Sequence, residues 1–246
     1  MSVNIQNGDC LELLKTVPSN SIDCIITSPP YNKSFFNKQK KSNQIWGGFE
    51  IKYNSYLDNL SIEDYEEWMI DFINTGIEKL KDSGSFFFNH KPIRYENQVY
   101  FPLNFIMKSK AKVYQEIIWD RHNSPNIRKD ILVPSTERIY WLVKDKPKTF
   151  RDAIDKEYIG EVWNMSAKPT KLHPAPFPIE LPYNCIKLTT EIGDTVMDPF
   201  MGIGTTGEAA LNLDRGFIGF ELDENYFEIA NQRLKSAQNK EVDLWN

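Results

Sequence analysis

Apolar runs cut by turn residues divide the chain into a regular succession of strands and helices. Val3-Asn4-Ile5-Gln6-Asn7 alternates with period two and predicts a short strand, and Asp9 to Val17 a short helix. Ser21 to Thr27 is nearly continuous in apolar residues and predicts a buried strand. Trp68, Ile70, Phe72, Ile73, Ile77 and Leu80 recur at helical spacing, until Asp82-Ser83-Gly84 ends the helix. Ser61 opens that helix as its cap, with Asp64 three residues on in a capping-box-like start. Ser85-Phe86-Phe87-Phe88 predicts a second buried strand, and residues 97–109 a helix. Val113 to Trp119 and Arg138 to Val143 predict two late strands, antiparallel neighbours around a polar loop at 121–135. Pro174, Pro176, Pro178 and Pro182 punctuate the approach to a helix over 179–189. Strand 195–198, helix 205–213, strand 216–220 and helix 223–237 then complete a βαβ unit.

This alternation predicts an α/β fold with a mostly parallel sheet and late antiparallel strands. A length of 246 residues suits one large α/β domain. Its two regular parts are expected over residues 1–144 and 171–237. Residues 32–56 form a long polar loop containing Gly47-Gly48, and loops of this length often serve as lids or binding loops. Residues 145–170 are polar and irregular, and 238–246 read as a tail. No internal repeat or low-complexity tract interrupts the pattern.

Hydrophobic residues at 41% and charged residues at 26% exclude wholesale disorder. No apolar run is long enough to cross a bilayer. The start, Met1 to Asn7, lacks the basic region and apolar core of a signal peptide, so a cytoplasmic location is expected. Cys10, Cys24 and Cys185 fit neither a disulfide framework nor a zinc knuckle, and His90, His122 and His173 lack ligand spacing, so no metal is expected. A net charge of −5 does not mark a nucleic-acid binder, but positive charge is local. Lys33, Lys38, Lys40, Lys41 and Lys52 face only Glu50 in one stretch. Arg121 to Arg151 is the other basic stretch, and solvated loops account for either equally well.

Two short motifs carry the chemistry. Thr27-Ser28-Pro29-Pro30-Tyr31 follows the second strand, and Asp198-Pro199-Phe200-Met201-Gly202-Ile203-Gly204-Thr205-Thr206 follows the strand at 195–198. In an open α/β sheet ligands gather at the carboxyl ends of strands, so the two can be neighbours in space. Two prolines stiffen Ser28-Pro29-Pro30-Tyr31, whose carbonyls and hydroxyl suit an exocyclic amine while Tyr31 offers a flat face. Standing alone, the motif is also a plain Pro-Pro turn. The glycine loop lets backbone approach a ligand closely, and Glu221 at the end of the next strand suits ribose hydroxyls. A tight strand–helix turn is the plainer account of Gly202 and Gly204. The loop lacks a third dinucleotide glycine and a Walker lysine, which favours a nucleoside cofactor without pyrophosphate. Asp9 suits an adenine amino group or a helix N-cap, and the two are compatible.

Together these segments resemble the amino-methylating DNA methyltransferases, which modify N4 of cytosine or N6 of adenine. Ser28-Pro29-Pro30-Tyr31 is similar to their catalytic tetrapeptide, and Asp198 to Thr205 to their cofactor loop. His173-Pro174-Ala175-Pro176-Phe177-Pro178, Phe220 to Tyr226 and Asn7-Gly8-Asp9 resemble further segments of the same family. Catalytic motif first and cofactor loop last is the order of the circularly permuted β class, as found in restriction-modification systems. The resemblance implies a Rossmann-like methyltransferase fold and S-adenosyl-L-methionine as cofactor. It implies Ser28, Pro29, Pro30 and Tyr31 as the catalytic set, with Tyr31 stacking on the target base. It implies Asp9, Cys10, His173, Pro174, Phe177, Asp198, Pro199, Phe200, Gly202, Gly204, Thr205, Thr206, Glu221 and Leu222 around the cofactor. The segment that reads DNA sequence falls at about 145–170, with loops 33–54 and 121–135 sharing contacts to double-stranded DNA.

Serine in the first place of the tetrapeptide usually accompanies N4-cytosine methylation in this family. The resemblance therefore implies direct methyl transfer to N4 of a flipped-out cytosine in duplex DNA, with N6 of adenine as the alternative. RNA, a protein amide, or a module that only binds are more distant readings. A homodimer and a cognate restriction endonuclease are expectations of the same resemblance.

Overall fold

The computed structural model describes residues 2–37, 58–95, 97–122, 129–166 and 177–243. The chain opens with β1 (Val3–Asn7), α1 (Cys10–Leu14), β2 (Ile22–Thr27), α2 (Lys33–Asn37), α3 (Ile62–Lys79) and β3 (Leu80–His90). A small hairpin of β4 (Ile93–Tyr95) and β5 (Gln98–Tyr100) leads to α4 (Leu103–Ile106), β6 (Lys112–Asp120) and β7 (Thr136–Val143). The remainder is β8 (Val162–Asn164), α5 (Glu180–Thr189), β9 (Thr195–Asp198), α6 (Thr205–Asn212), β10 (Gly216–Glu221) and α7 (Glu224–Asp243).

Eight strands form one sheet in the order β1-β10-β9-β2-β3-β7-β6-β8. Every neighbouring pair is parallel except those of β7, which runs against both β3 and β6. The carboxyl ends of β1, β10, β9, β2, β3 and β6 therefore share one edge with the start of β7. Side chains alternate between two cores, as the pleat requires. Ile25, Phe86, Phe88, Tyr140 and Leu142 pack with α1, α3 and α4, whereas Cys24, Ile26, Phe87, Ile139 and Trp141 pack with α5, α6 and α7. A sheet covered on both faces explains why β2, β3 and β7 read as continuous apolar runs.

Most elements follow the sequence pattern closely, and the departures have physical causes. The helix expected over 97–109 is reduced to α4, because β4 and β5 pair and Pro102 starts the turn only afterwards. α3 stops at Lys79, and β3 begins at once with Leu80 extended, ahead of the expected break at Asp82-Ser83-Gly84. Residues 145–166 contain two 3-10 turns and β8, which joins the sheet beside β6. Ile154, Tyr158, Trp163 and Met165 bury themselves in the core there, and the Trp163 indole N–H donates to the carbonyls of Tyr158 and Gly160, both at 3.0 Å. Those anchors are too sparse to show a period. α7 runs on to Asp243, past the expected end at 237. The basic residues between 38 and 57, the middle of the 121–135 loop and the end of the 145–170 segment lie outside the described residues. No helix among the described residues is long and apolar enough to cross a membrane, and all three cysteines are free and buried.

Candidate active site

Three backbone segments meet at the carboxyl ends of β1, β10 and β9. The Asn7 amide donates to the carbonyls of Glu221 (2.8 Å) and Leu222 (3.2 Å), and Gly8 N–H donates to Glu221 O at 3.0 Å. The Asn7-Gly8-Asp9 turn is thereby fixed beside Glu221. One Glu221 carboxylate oxygen accepts from Gly202 N–H and the other from Asp223 N–H, each at 2.9 Å. Burial raises the Glu221 carboxyl above its ordinary range against the pull of those two bonds. The loop after β9 turns through Gly202 (φ 51°) and Gly204 (φ 80°), left-handed conformations that side-chain-bearing residues adopt only at a cost. A Cβ on Gly204 would also stand 3.2 Å from Ala230 Cβ.

Parallel pairing of β2 with β9 brings the ends of both motifs together. Asp198, 1% exposed, accepts from the Thr27 hydroxyl (2.7 Å) and Phe200 N–H (3.1 Å) on one oxygen, and from the Thr206 hydroxyl (2.7 Å) on the other. One carboxylate thus ties the strand before the tetrapeptide to the glycine loop and to the first turn of α6. Burial pushes its pKa up to about 6, with the hydroxyls of Thr206 and Thr27 and the Phe200 amide pulling it down.

The tetrapeptide leads into a buried polar network. Tyr31 is 8% exposed, and its hydroxyl lies 2.8 Å from Ser28 Oγ, 3.1 Å from Glu137 Oε2 and 3.4 Å from the carbonyl of Asn89. The Asn89 amide nitrogen, at the end of β3, lies 3.1 Å from Tyr31 Oη, 3.2 Å from Glu137 Oε2 and 3.4 Å from Ser28 Oγ. Arg121, just after β6, approaches the other Glu137 oxygen at 3.1 Å. Behind the turn, the Tyr65 hydroxyl donates to Pro30 O and stands 2.8 Å from His90 Nε2. Burial lowers the His90 pKa to about 3, so its ring is neutral.

Several sequence expectations change in this setting. Tyr31 is not an open stacking platform: its ring packs 4.3 Å from the His90 ring and under the Lys33 ammonium, 5.2 Å from its centroid. The part of Tyr31 that enters the polar network is its hydroxyl. Asp198 and Thr206 bond to each other in the interior, so their side chains hold the loop instead of facing a ligand. Cys10 is buried in α1, and burial raises its thiol well above the ordinary range. Phe200 packs on Trp68 and Phe72 of α3, at ring separations of 5.8 Å and 5.0 Å. Thr205 accepts from Arg233, which also pairs with Glu208. Asp9 is the N-cap of α1, accepting from Leu11 and Glu12 N–H, and remains exposed. Phe177 is half-buried against the α5–α7 core, and Leu222 is exposed. His173 and Pro174 lie outside the described residues. Arg121 turns inward to Glu137, and Arg138 pairs with the exposed Glu116, which leaves the 121–151 stretch less free positive charge than its count implies. Asn89, Arg121 and Glu137 join the site although no motif flags them, and Thr27, at the head of the first motif, enters through its hydroxyl. Glu137, an acid at the head of the apolar run Arg138 to Val143, is the one visible hint.

With Glu221 and Asp9 at its rim and Arg233 committed to Glu208, the loop suits a ligand bearing hydroxyl and amino groups better than a phosphate. Among the described residues no group of three or more His, Cys, Asp or Glu is placed to hold a metal ion.

A family model described as DNA methylase, of the N6/N4 methyltransferase type, matches residues 22–232. The Type II methyltransferase M.BglII of Bacillus subtilis is 29% identical over 265 residues, covering 94% of this chain and 68% of that protein. PvuII DNA methyltransferase (cytosine-N4-specific) shares the fold with a TM-score of 0.77 at 22% identity, over 98% of this chain and 92% of that one. The SAM complex of M1.HpyAVI does so with a TM-score of 0.62 at 24% identity, over 94% and 99%.

Proposed function

This chain belongs to the N6/N4 DNA methylase family, and within it we propose transfer of a methyl group from S-adenosyl-L-methionine to N4 of cytosine in duplex DNA. The observation that carries the reading is the Asp198 clasp, which holds a serine-headed amine site against a glycine-turn ligand site. When bound, the cofactor supplies an electrophilic methyl on sulfur. Glu221 would accept from its ribose hydroxyls and Asp9 from its adenine amine, with the Gly202–Gly204 turn against its backbone-facing side. Ser28 Oγ and the Pro29 carbonyl accept hydrogen bonds from the target amine, which draws its nitrogen toward tetrahedral geometry and aims its lone pair. Much of the rate would come from such positioning, which supplies roughly 7–11 kcal/mol in well-oriented reactions. The base leaves the duplex stack to reach this edge.

The family name carries both amines, and adenine N6 is the second reading on that ground alone. Ser28 and the fold shared with the cytosine-N4-specific PvuII enzyme favour N4. The test is label transfer from methyl-tritiated cofactor to duplex DNA, RNA and protein offered separately. Transfer to duplex DNA that is lost in Ser28→Ala supports the reading. Transfer only to RNA or protein overturns it.

A further inference from the structure

The Ser28 hydroxyl both donates and accepts, so its usefulness to an amine depends on where its own proton goes. An amine offers hydrogens and needs acceptors. If the Ser28 proton pointed into the site, donor would meet donor.

The hydroxyl network decides the direction. Tyr31 has one phenolic proton and three oxygens within reach: Ser28 Oγ at 2.8 Å, Glu137 Oε2 at 3.1 Å and Asn89 O at 3.4 Å. A carboxylate only accepts. Were Tyr31 to donate to Ser28, its oxygen would face Glu137 Oε2 with no hydrogen between them, two acceptors in a buried place where such a mismatch is costly. Arg121, 3.1 Å from the other Glu137 oxygen, supplies the counter-charge. The Asn89 amide nitrogen donates into the same cluster and, at 3.4 Å from Ser28 Oγ, meets that oxygen as an acceptor. Tyr31 therefore donates to Glu137, and Ser28 donates to Tyr31.

We propose that Glu137 is a positioning residue that, through Tyr31, holds the Ser28 hydroxyl as an acceptor toward the target amine. It makes a neutral serine behave as an acceptor-only group at the reacting end. The inference rests on the methyltransferase reading for what the acceptor serves, but the proton order itself rests on geometry alone.

Two measurements test it. Neutron diffraction from deuterium-exchanged crystals of the full chain shows the order directly. The expected map has the Ser28 deuterium aimed at Tyr31 and the Tyr31 deuterium at Glu137; a Tyr31 deuterium aimed at Ser28 overturns the proposal whatever the enzyme does. The second is single-turnover methyl transfer to DNA by Glu137→Gln. Arg121 can only donate, so the carbonyl of the new side-chain amide turns to Arg121 and its NH2 to Tyr31, with the Asn89 amide, 3.2 Å from that position, turning its oxygen to the same NH2; Tyr31 then accepts there and donates to Ser28, which reverses the chain. Loss of one well-placed acceptor is expected to slow transfer about 10- to 100-fold, with dissociation constants for cofactor and DNA within about twofold of wild type. In a Ser28→Asn background, where the amide oxygen accepts regardless, the same change is expected to cost little. An equal loss in both backgrounds, or a loss shared by binding, assigns Glu137 a merely structural part and overturns the proposal. A wild-type chain that transfers no methyl to DNA sinks the function instead, and leaves the neutron map to decide the proton order.

Discussion

Asp198→Asn isolates the clasp between the two motifs. The substitution keeps the side-chain shape and removes its titration. In the unfolded chain an aspartate titrates at about 3.9, whereas burial pushes Asp198 up to about 6 in the fold. The difference, about two pH units at about 1.4 kcal/mol each, is worth about 3 kcal/mol. Its sign follows from the direction of the shift. The native state binds this proton more tightly than the unfolded chain, so the contribution is complete below about pH 4 and lost as pH rises through about 6. Urea unfolding of wild type and variant, from about pH 4 to about pH 7.5, reads it out. The variant is expected to gain about 3 kcal/mol on wild type across that range. A stability difference that stays constant with pH refutes the reasoning. Asparagine has one accepting oxygen for the Thr27 hydroxyl, the Thr206 hydroxyl and Phe200 N–H, so methyl transfer is expected to slow even though the variant loses less stability than wild type as pH rises.

Further expectations follow from the same geometry. Glu221→Ala strands the N–H groups of Gly202 and Asp223 and is expected to weaken cofactor binding about tenfold or more in calorimetry; unchanged affinity removes Glu221 from the cofactor site. Gly204→Ala places a Cβ at φ 80° and 3.2 Å from Ala230 Cβ, and a cost of about 1–3 kcal/mol should appear as a fall of several degrees in melting temperature. Trp163→Ala deletes a side chain only 1% exposed and is expected to cost about 3–5 kcal/mol and to raise amide exchange across 151–165. Preserved protection there would show that the segment does not depend on its tryptophan.

The reach of the sequence differs from segment to segment. β1 and β9 match the pattern residue for residue, and β10 and α6 within one, because their periods are clean and their turns carry Gly or Asp. β8 is invisible in the pattern: three residues, of which only Trp163 is buried, are too few to show a period, and their pairing with β6 is not visible in the sequence. The glycine loop, Glu221 and Ser28 are legible because each sits at a strand end in a contiguous motif. Glu137, Asn89 and Arg121 are not, since they come from β7, β3 and the residue after β6. The antiparallel registers of β3 on β7, with Asn89 opposite Ile139, and of β6 on β7, with Trp119 opposite Glu137, bring them to one place. Tyr31 is legible as a residue of the site but not in its part, because sequence cannot show that His90 and Lys33 already occupy its ring. Asp198 likewise reads as a ligand contact, when the hydroxyls of Thr206, eight residues on, and of Thr27, distant in sequence, engage it inside.

The most direct test of the central claim is to identify the methylated nucleoside. The protein is incubated with labelled S-adenosyl-L-methionine and mixed-sequence duplex DNA, and the DNA is digested and its nucleosides separated by mass spectrometry. N4-methyldeoxycytidine is the expected product. N6-methyldeoxyadenosine would contradict the cytosine assignment, leaving the fold and family intact but showing that an acceptor serine at position 28 does not select cytosine.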